Sequence, residues 1–282
     1  MRGELDRARE RGEPVGVVEL ARQLLSLSGA IDPALARRVV GAALERAPQS
    51  LPDLLCASDL RPGVDAELAD RALEVVDFAV VDLETTGLDA EAESILEIGA
   101  VRVSRLAIVD RFETLLRPAG RLPRAIVALT GICDAMVAQA PTQRAALRAF
   151  SRWLARAPDA PFVAHNAAFD HRFASRALDW AGLPAHRGVV LCSCKLARRL
   201  LPELGRYGLD PLCAHFGISN RARHRALGDA EATARAWIDL LEVARSRYGM
   251  RTLGDLIDCQ RRPAAKWRRR AAPRAPSGSV VG

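Results

Sequence analysis

The stretch Phe78-Ala-Val-Val-Asp-Leu-Glu-Thr-Thr-Gly-Leu88 decides how this chain is read. Its first four residues are apolar and bounded by turn-forming residues, the pattern of a short buried strand. Strand side chains alternate between faces, so Asp82 and Glu84, two apart where the strand emerges, project from one side. An Asp-x-Glu pair by itself is an ordinary surface feature. Here it directly follows buried-strand residues and precedes Thr85-Thr86-Gly87, where a glycine lets backbone approach a ligand closely. Two carboxylates set out this way can bridge metal ions.

Working outward, residues 95–103 and 108–116 repeat the strand pattern with turn formers between them, so the domain opens with three antiparallel strands. Helical spacing follows at 124–130 and 142–156, then a strand at 161–164, a helix at 167–181 and a strand at 189–192. Further helices complete the chain, including a long one over 226–248. Strands first, then alternating strand and helix, predict an α/β fold: a mixed five-stranded sheet flanked by helices. Upstream, Val17, Leu20 and Leu24, then Leu35, Val39 and Leu44, mark two helices, with Asp32-Pro33 as cap and first-turn proline. The expected organisation is a small N-terminal helical region and linker over 1–75, a main domain over 76–248, and a helix end with a basic, disordered tail over 249–282. The helical region could dock on the main domain, bind DNA or bind a partner. The tail, with Arg268, Arg269 and Arg270, could hold nucleic acid or simply solubilise.

A chain of 282 residues with 49% hydrophobic content can bury one well-formed core and still carry appendages. A net charge of +7 and a pI of 9.6 favour an anionic partner, nucleic acid or a membrane surface. Only Lys195 and Lys266 are lysines, so the charge is nearly all arginine, which GC-rich coding explains as readily as phosphate contacts. The charged opening, Met1 to Glu13, lacks an apolar run for a signal peptide or membrane span, and a cytoplasmic protein with no membrane partner is expected. Cysteines at 56, 133, 192, 194, 213 and 259 are scattered and read as reduced thiols. Cys192, Cys194, Cys213 and His215 invite a zinc reading, but the single-residue gap in Cys192-Ser-Cys194 is tighter than zinc pairs use.

Two more acidic residues fall at helix starts. Asp170 closes His165-Asn166-Ala-Ala-Phe169-Asp170, just after the fourth strand. Asp229 lies in Ala226-Leu-Gly-Asp-Ala-Glu-Ala-Thr233, with Glu231 beside it as a competitor. Capping and the helix dipole explain each of them when taken singly. His224 falls on the loop leading into the second of these helices.

Taken together, Val80-Val-Asp-Leu-Glu-Thr-Thr-Gly-Leu88, Leu129-Thr-Gly-Ile132, Val163-Ala-His-Asn-Ala-Ala-Phe-Asp170 and His224-Arg-Ala-Leu-Gly-Asp229 closely resemble, in this order and spacing, the DnaQ-like (DEDDh) exonuclease family. The likeness is to the epsilon proofreading subunit of bacterial DNA polymerase III and the exonuclease domain of PolC, over about residues 76 to 248. The resemblance implies an RNase H-like fold and a metal-dependent 3′-to-5′ exonuclease releasing nucleoside 5′-monophosphates. It implies Asp82, Glu84, Asp170 and Asp229 as ligands of two Mg²⁺ or Mn²⁺ ions, which suits hard oxygen donors that would otherwise repel one another. It also implies His224 as general base, a role imidazole suits because its ordinary pKa lies near neutrality. Thr85, Thr86, Gly87 and Leu88, with Asn166 and Phe169, correspond to the family's grip on the terminal nucleotide; Phe169 reads equally as plain core. His165 stands outside the catalytic set. The implied substrate is a single-stranded or frayed DNA 3′ end, in proofreading or repair, with a DNA polymerase subunit as a possible partner. An exoribonuclease and a non-catalytic nucleic-acid-binding module are the rival readings, since nothing in the motifs reads a 2′-hydroxyl. No clamp-binding peptide of the Gln-x-x-Leu-x-Phe type is found in the tail.

Overall fold

A computed structural model describes residues 66–261, which belong to one compact unit. The expected N-terminal helices at 16–47 and the tail beyond 261 lie outside the described residues. The order of elements is α1 (Ala66–Ala69), β1 (Phe78–Thr85), β2 (Ile95–Ser104), β3 (Ala107–Leu115), α2 (Arg124–Thr130), α3 (Asp134–Ala138), α4 (Gln143–Leu154), β4 (Phe162–Ala164), α5 (Ala167–Trp180), β5 (Val190–Cys192), α6 (Ser193–Leu200), a 3₁₀ turn (Pro202–Leu204), α7 (Leu209–His215), α8 (Ala226–Tyr248) and α9 (Leu253–Arg261). The sheet order is β3-β2-β1-β4-β5. The first three strands are antiparallel and β4 and β5 run parallel to β1, which is the expected mixed α/β, RNase H-like sheet flanked by helices.

The alternation of β1 separates two packed layers. Ala79, Val81 and Leu83 join a core with Leu147, Phe150 and Trp153 of α4 and Phe173 and Leu178 of α5. Phe78, from the opposite set, meets Trp237 of α8 edge to face, with ring centroids 5.4 Å apart. Both rings are fully buried. Strand β2 is covered on both faces, with Ile95, Leu96, Ile98, Ala100 and Val101 essentially inaccessible. The β2–β3 hairpin turns on Arg105 and Leu106, both at left-handed φ (48° and 59°), the geometry whose twist matches antiparallel strands.

Asp82 and Glu84 lie at the end of strand β1, which runs on to Thr85 and which β2 pairs along its whole length. One feature departs from the sequence reading. A separate helix, α9, lies beyond the boundary drawn at 248 and buries Leu253, Leu256, Ile257 and Cys259. Upstream of 76, Leu68 and Leu73 are also buried, and Ala72 bridges to Thr252. The packed unit therefore reaches past both ends of the expected main domain. The sequence concealed this because neither flanking piece is long enough to show a period.

Trp237 locks α8 onto the sheet, so Trp237→Ala is expected to destabilise the fold by about 3–5 kcal/mol, the usual cost of emptying a buried aromatic site. The exposed Val109→Ala is expected to stay within about 0.5 kcal/mol of wild type. Urea unfolding of both variants checks this, and equal midpoints would contradict it.

Candidate active site

The parallel ladder between β1 and β4 stops at the pair Val80–Val163. Beyond it β1 continues alone on that side, and the first turn of α5 takes the vacated place. The amide of Leu83, which points toward the missing strand, donates to Asp170 Oδ1 at 3.2 Å. Asp170 is buried and does not cap its own helix; Asn166 occupies that position at φ 73°. The capping explanation therefore fails for Asp170. Its carboxylate instead substitutes for a strand neighbour, next to Asp82 and Glu84.

Helix α8 delivers the third group of residues. Asp229, in its first turn, accepts the backbone amide of His224 at 3.0 Å and a short hydrogen bond from Asn220 Nδ2. It therefore fastens the loop that precedes its helix. Ligand atoms of Glu84, His224 and Asp229 lie within 4.8 Å of one another, and all three side chains keep partial access to solvent. Among the described residues this is the group so gathered; Cys192, Cys194, Cys213 and His215 form no such cluster. Glu231, the competing acid, pairs with Arg111 and Arg235.

The electrostatics follow from this crowding. Asp82 retains some exposure, yet burial raises its carboxyl well above the ordinary range, and Asp170, Asp229, Glu84 and Glu97 raise it further. Burial pushes Glu84 up to about 7, with Asp229 and Glu97 adding to the rise and Arg225 opposing it. Burial also dominates Asp170, pushed up to about 8 against the amides of Asp170 and Leu83, with Glu84 adding to the rise. Carboxylates from β1, α5 and α8 thus meet under conditions that penalise their ionised forms. An all-oxygen set with one imidazole at its edge fits divalent cations of the Mg²⁺ and Mn²⁺ class.

The turn after β1 is tightly braced. Thr85 Oγ1 donates to the Gly87 carbonyl at 2.6 Å, and Thr86 Oγ1 accepts the Ser94 amide at 2.9 Å while donating to Glu93. These hydroxyls hold the turn, and the Thr86 amide is tied to the Ser94 carbonyl at 2.9 Å. Leu88 is 81% exposed, an unusual position for leucine beside a cleft, and Arg172 donates to its carbonyl at 3.3 Å. Asn166 is exposed. Phe169 is half-buried, packs on the main core and sits 4.7 Å from the Phe173 ring, so the core reading accounts for it and it keeps an accessible edge. His165 is turned to Ser193 Oγ at 2.9 Å, and burial lowers its pKa.

Three residues here were not singled out in the sequence. Glu97 is fully buried opposite Glu84, and Arg225 forms a forked ion pair with it. Gly99 lies opposite Asp82, and a Cβ there would collide with the backbone of Ala226 and Leu227, so glycine alone lets α8 approach the sheet. The signal was present: one carboxylate inside the apolar run Ile95–Val101 demands a partner.

Comparison with known proteins agrees with this geometry. The exonuclease (RNase T) family model matches residues 79–237. The PolC-type DNA polymerase III of Oceanobacillus iheyensis is 41% identical over 165 residues, 58% of this chain and 11% of that protein. The Staphylococcus epidermidis PolC-type enzyme is 36% identical over 173 residues, 61% of this chain and 12% of the relative. The chain thus spans about an eighth or less of the length of these curated relatives. Among solved structures, exonuclease X in complex with 5′ overhanging duplex DNA is 29% identical with a TM-score of 0.51, covering 65% of this chain and 99% of that one. The nuclease domain of 3′hExo, a DEDDh family member bound to rAMP, shares the fold at 19% identity and a TM-score of 0.53, covering 61% and 94%. The chain belongs to the family of DnaQ-like 3′-to-5′ exonucleases.

The raised carboxyl groups give a pH dependence with a definite sign. Below about pH 4 the groups are protonated in both folded and unfolded chains and carry no penalty. Between that point and the folded values of about 7 and about 8, the unfolded chain releases protons that Glu84 and Asp170 keep, so stability falls as pH rises. In chelator, the melting temperature is expected to drop between about pH 5 and about pH 8.5, and Mg²⁺ or Mn²⁺ to raise it more at the higher pH. Calorimetry showing an equal cation increment at both pH values would contradict this.

Proposed function

We propose that this protein is a metal-dependent 3′-to-5′ exonuclease that hydrolyses the terminal phosphodiester of a DNA 3′ end and releases nucleoside 5′-monophosphates, in proofreading or repair. The observation that carries the reading is that β1 and α8 bring ligand atoms of Glu84, His224 and Asp229 within 4.8 Å of one another, with Asp82 and Asp170 close enough to act on the same group electrostatically. In this reading the four carboxylates hold two Mg²⁺ or Mn²⁺ ions. Such ions, when bound, neutralise the acidic cluster and stabilise charge on the attacking and leaving oxygens of an in-line displacement.

The chain's own residues supply the remaining chemistry. His224, on the loop before α8, takes the proton from the attacking water at a ring nitrogen. The braced turn Thr85–Thr86–Gly87 presents backbone to the terminal sugar, and exposed Leu88 packs against its base. Phe169 closes the opposite wall of the cleft and Asn166 borders it. This placement leaves the 3′-terminal nucleotide across the carboxylates, so that cleavage proceeds inward from that end. The likeness to PolC-type polymerases supports a DNA polymerase as a partner class in this reading. Among the described residues, no helix is long and apolar enough to cross a membrane.

Single-stranded and 3′-recessed DNA are expected to lose nucleotides one at a time from the 3′ end in Mn²⁺ or Mg²⁺, and chelator to stop the reaction. Asp82→Ala should lower the rate by roughly 10³-fold or more while leaving binding in place. Gel time courses beside matched RNA provide the check. Faster loss from RNA would point to an exoribonuclease, and a wild-type chain that binds DNA but is inert in Mn²⁺ would point to a binding module.

A further inference from the structure

The strand that pairs with the Asp82–Glu84 segment carries a charge that its surroundings do not favour. Glu97 is fully enclosed in central strand β2, directly opposite Glu84 in the antiparallel register. Like charges opposite one another weaken a sheet, and an enclosed carboxylate is costly without a partner. The bonds to Glu97 come from one joint. Arg225 Nε reaches its two oxygens at 3.1 and 3.2 Å and the Arg225 guanidinium donates again at 2.5 Å, while the Ala226 amide donates to Oε2 at 2.8 Å. Arg225 is the N-cap position of α8 and follows His224 directly. The same guanidinium lies 3.7 Å from Glu113 on β3, so it spans two strands.

We propose that Glu97 and Arg225 form a positioning brace that sets the His224 loop and the first turn of α8 against Asp82 and Glu84. The inference rests on the exonuclease reading above. His224 is held at φ 57°, an uncommon conformation for a residue with a side chain, which persists only where its surroundings enforce it. On one side the loop is tied to Asp229 and Asn220; on the other, Arg225 and Ala226 are pinned to Glu97. Gly99, two residues along β2, leaves room for the helix backbone to come this close. One enclosed carboxylate therefore fixes the approach of the helix that carries Asp229 and of the loop before it that carries His224. Glu97 is enclosed while the Arg225 side chain is 36% exposed, so the pair contributes little net stability for the charge it buries, and its effect on position can be read apart from its effect on stability.

The test compares wild type, Arg225→Ala and the paired replacement Glu97→Met with Arg225→Met on a single-stranded DNA oligonucleotide in Mn²⁺, reading kcat, KM and melting temperature. The paired variant is expected to stay folded, melting somewhat below wild type because the buried Ala226 amide loses its acceptor, yet to lose about 10–100-fold in kcat, with KM little changed. Arg225→Ala should lose a similar factor and regain part of it in millimolar ethylguanidinium, which should leave wild type unaffected. If Arg225→Ala does not fold, the paired variant decides. Wild-type kcat in the folded paired variant, a change in KM alone, or no ethylguanidinium rescue of folded Arg225→Ala would each overturn the brace. An inactive wild-type chain would instead defeat the exonuclease reading. The brace would then be judged by hydrogen exchange at the His224 and Ala226 amides, which should lose protection in the paired variant; unchanged protection would overturn it.

Discussion

The repulsion among acidic side chains at the outer end of β1 is the constraint on which the rest of the structure depends. Burial and neighbouring charge together raise Asp82, Glu84 and Asp170, so the fold has to hold these groups where they do not favour being ionised. It does so with rigid supports. Leu83 offers its amide to Asp170, Asn220 and the His224 amide engage Asp229, and Arg225 stands near Glu84. Each is a fixed donor or cation supplied by backbone or by a neighbouring loop. Such a cluster is a poor device for stability and a good one for gathering cations, since the charge that strains it is the charge that a divalent ion would relieve.

The scaffold creates this spot through a mismatch of lengths. Strand β1 runs for eight residues and β4 for only three, so the sheet has a step where the α5 helix begins. Side-chain alternation then sends Asp82 and Glu84 to the α8 face, while Ala79, Val81 and Leu83 anchor the strand in the core beneath α4 and α5. The cluster is thus carried by a strand that β2 pairs along its whole length and whose other face is packed in the core. Only the His224 loop and the turn at Thr85–Leu88 come from irregular backbone, and both are tied down by side-chain hydrogen bonds. A rigid base with two braced loops suits a cleft that must hold one terminal nucleotide in a fixed pose.

Much of this arrangement could be read in the sequence, for identifiable reasons. The strands were legible because each is a compact apolar run between turn formers, and α5 and α8 because their length shows a helical period. The order of Asp82, Glu84, His165 to Asp170, and His224 to Asp229 carried the family resemblance. Three things were not legible. Helix α9 and the segment around Leu68 to Val76 are too short for a periodic signal, and their burial depends on each other through the Ala72–Thr252 bridge. The full pairing of Asp82 and Glu84 with β2 was hidden too, because acidic residues lower the apparent strand pattern. The role of Glu97 lay in a contact across more than a hundred residues, which no local pattern reports.

The central claim is that the carboxylates from β1, α5 and α8 form one receptacle for paired divalent cations, and diffraction from crystals grown with Mn²⁺ tests it most directly. The account predicts two anomalous peaks about 4 Å apart, both contacted by oxygens of Asp82, Glu84, Asp170 and Asp229. A crystal that binds Mn²⁺ elsewhere and leaves this cluster empty, or in which any one of these four side chains points away from a shared pocket, would contradict it.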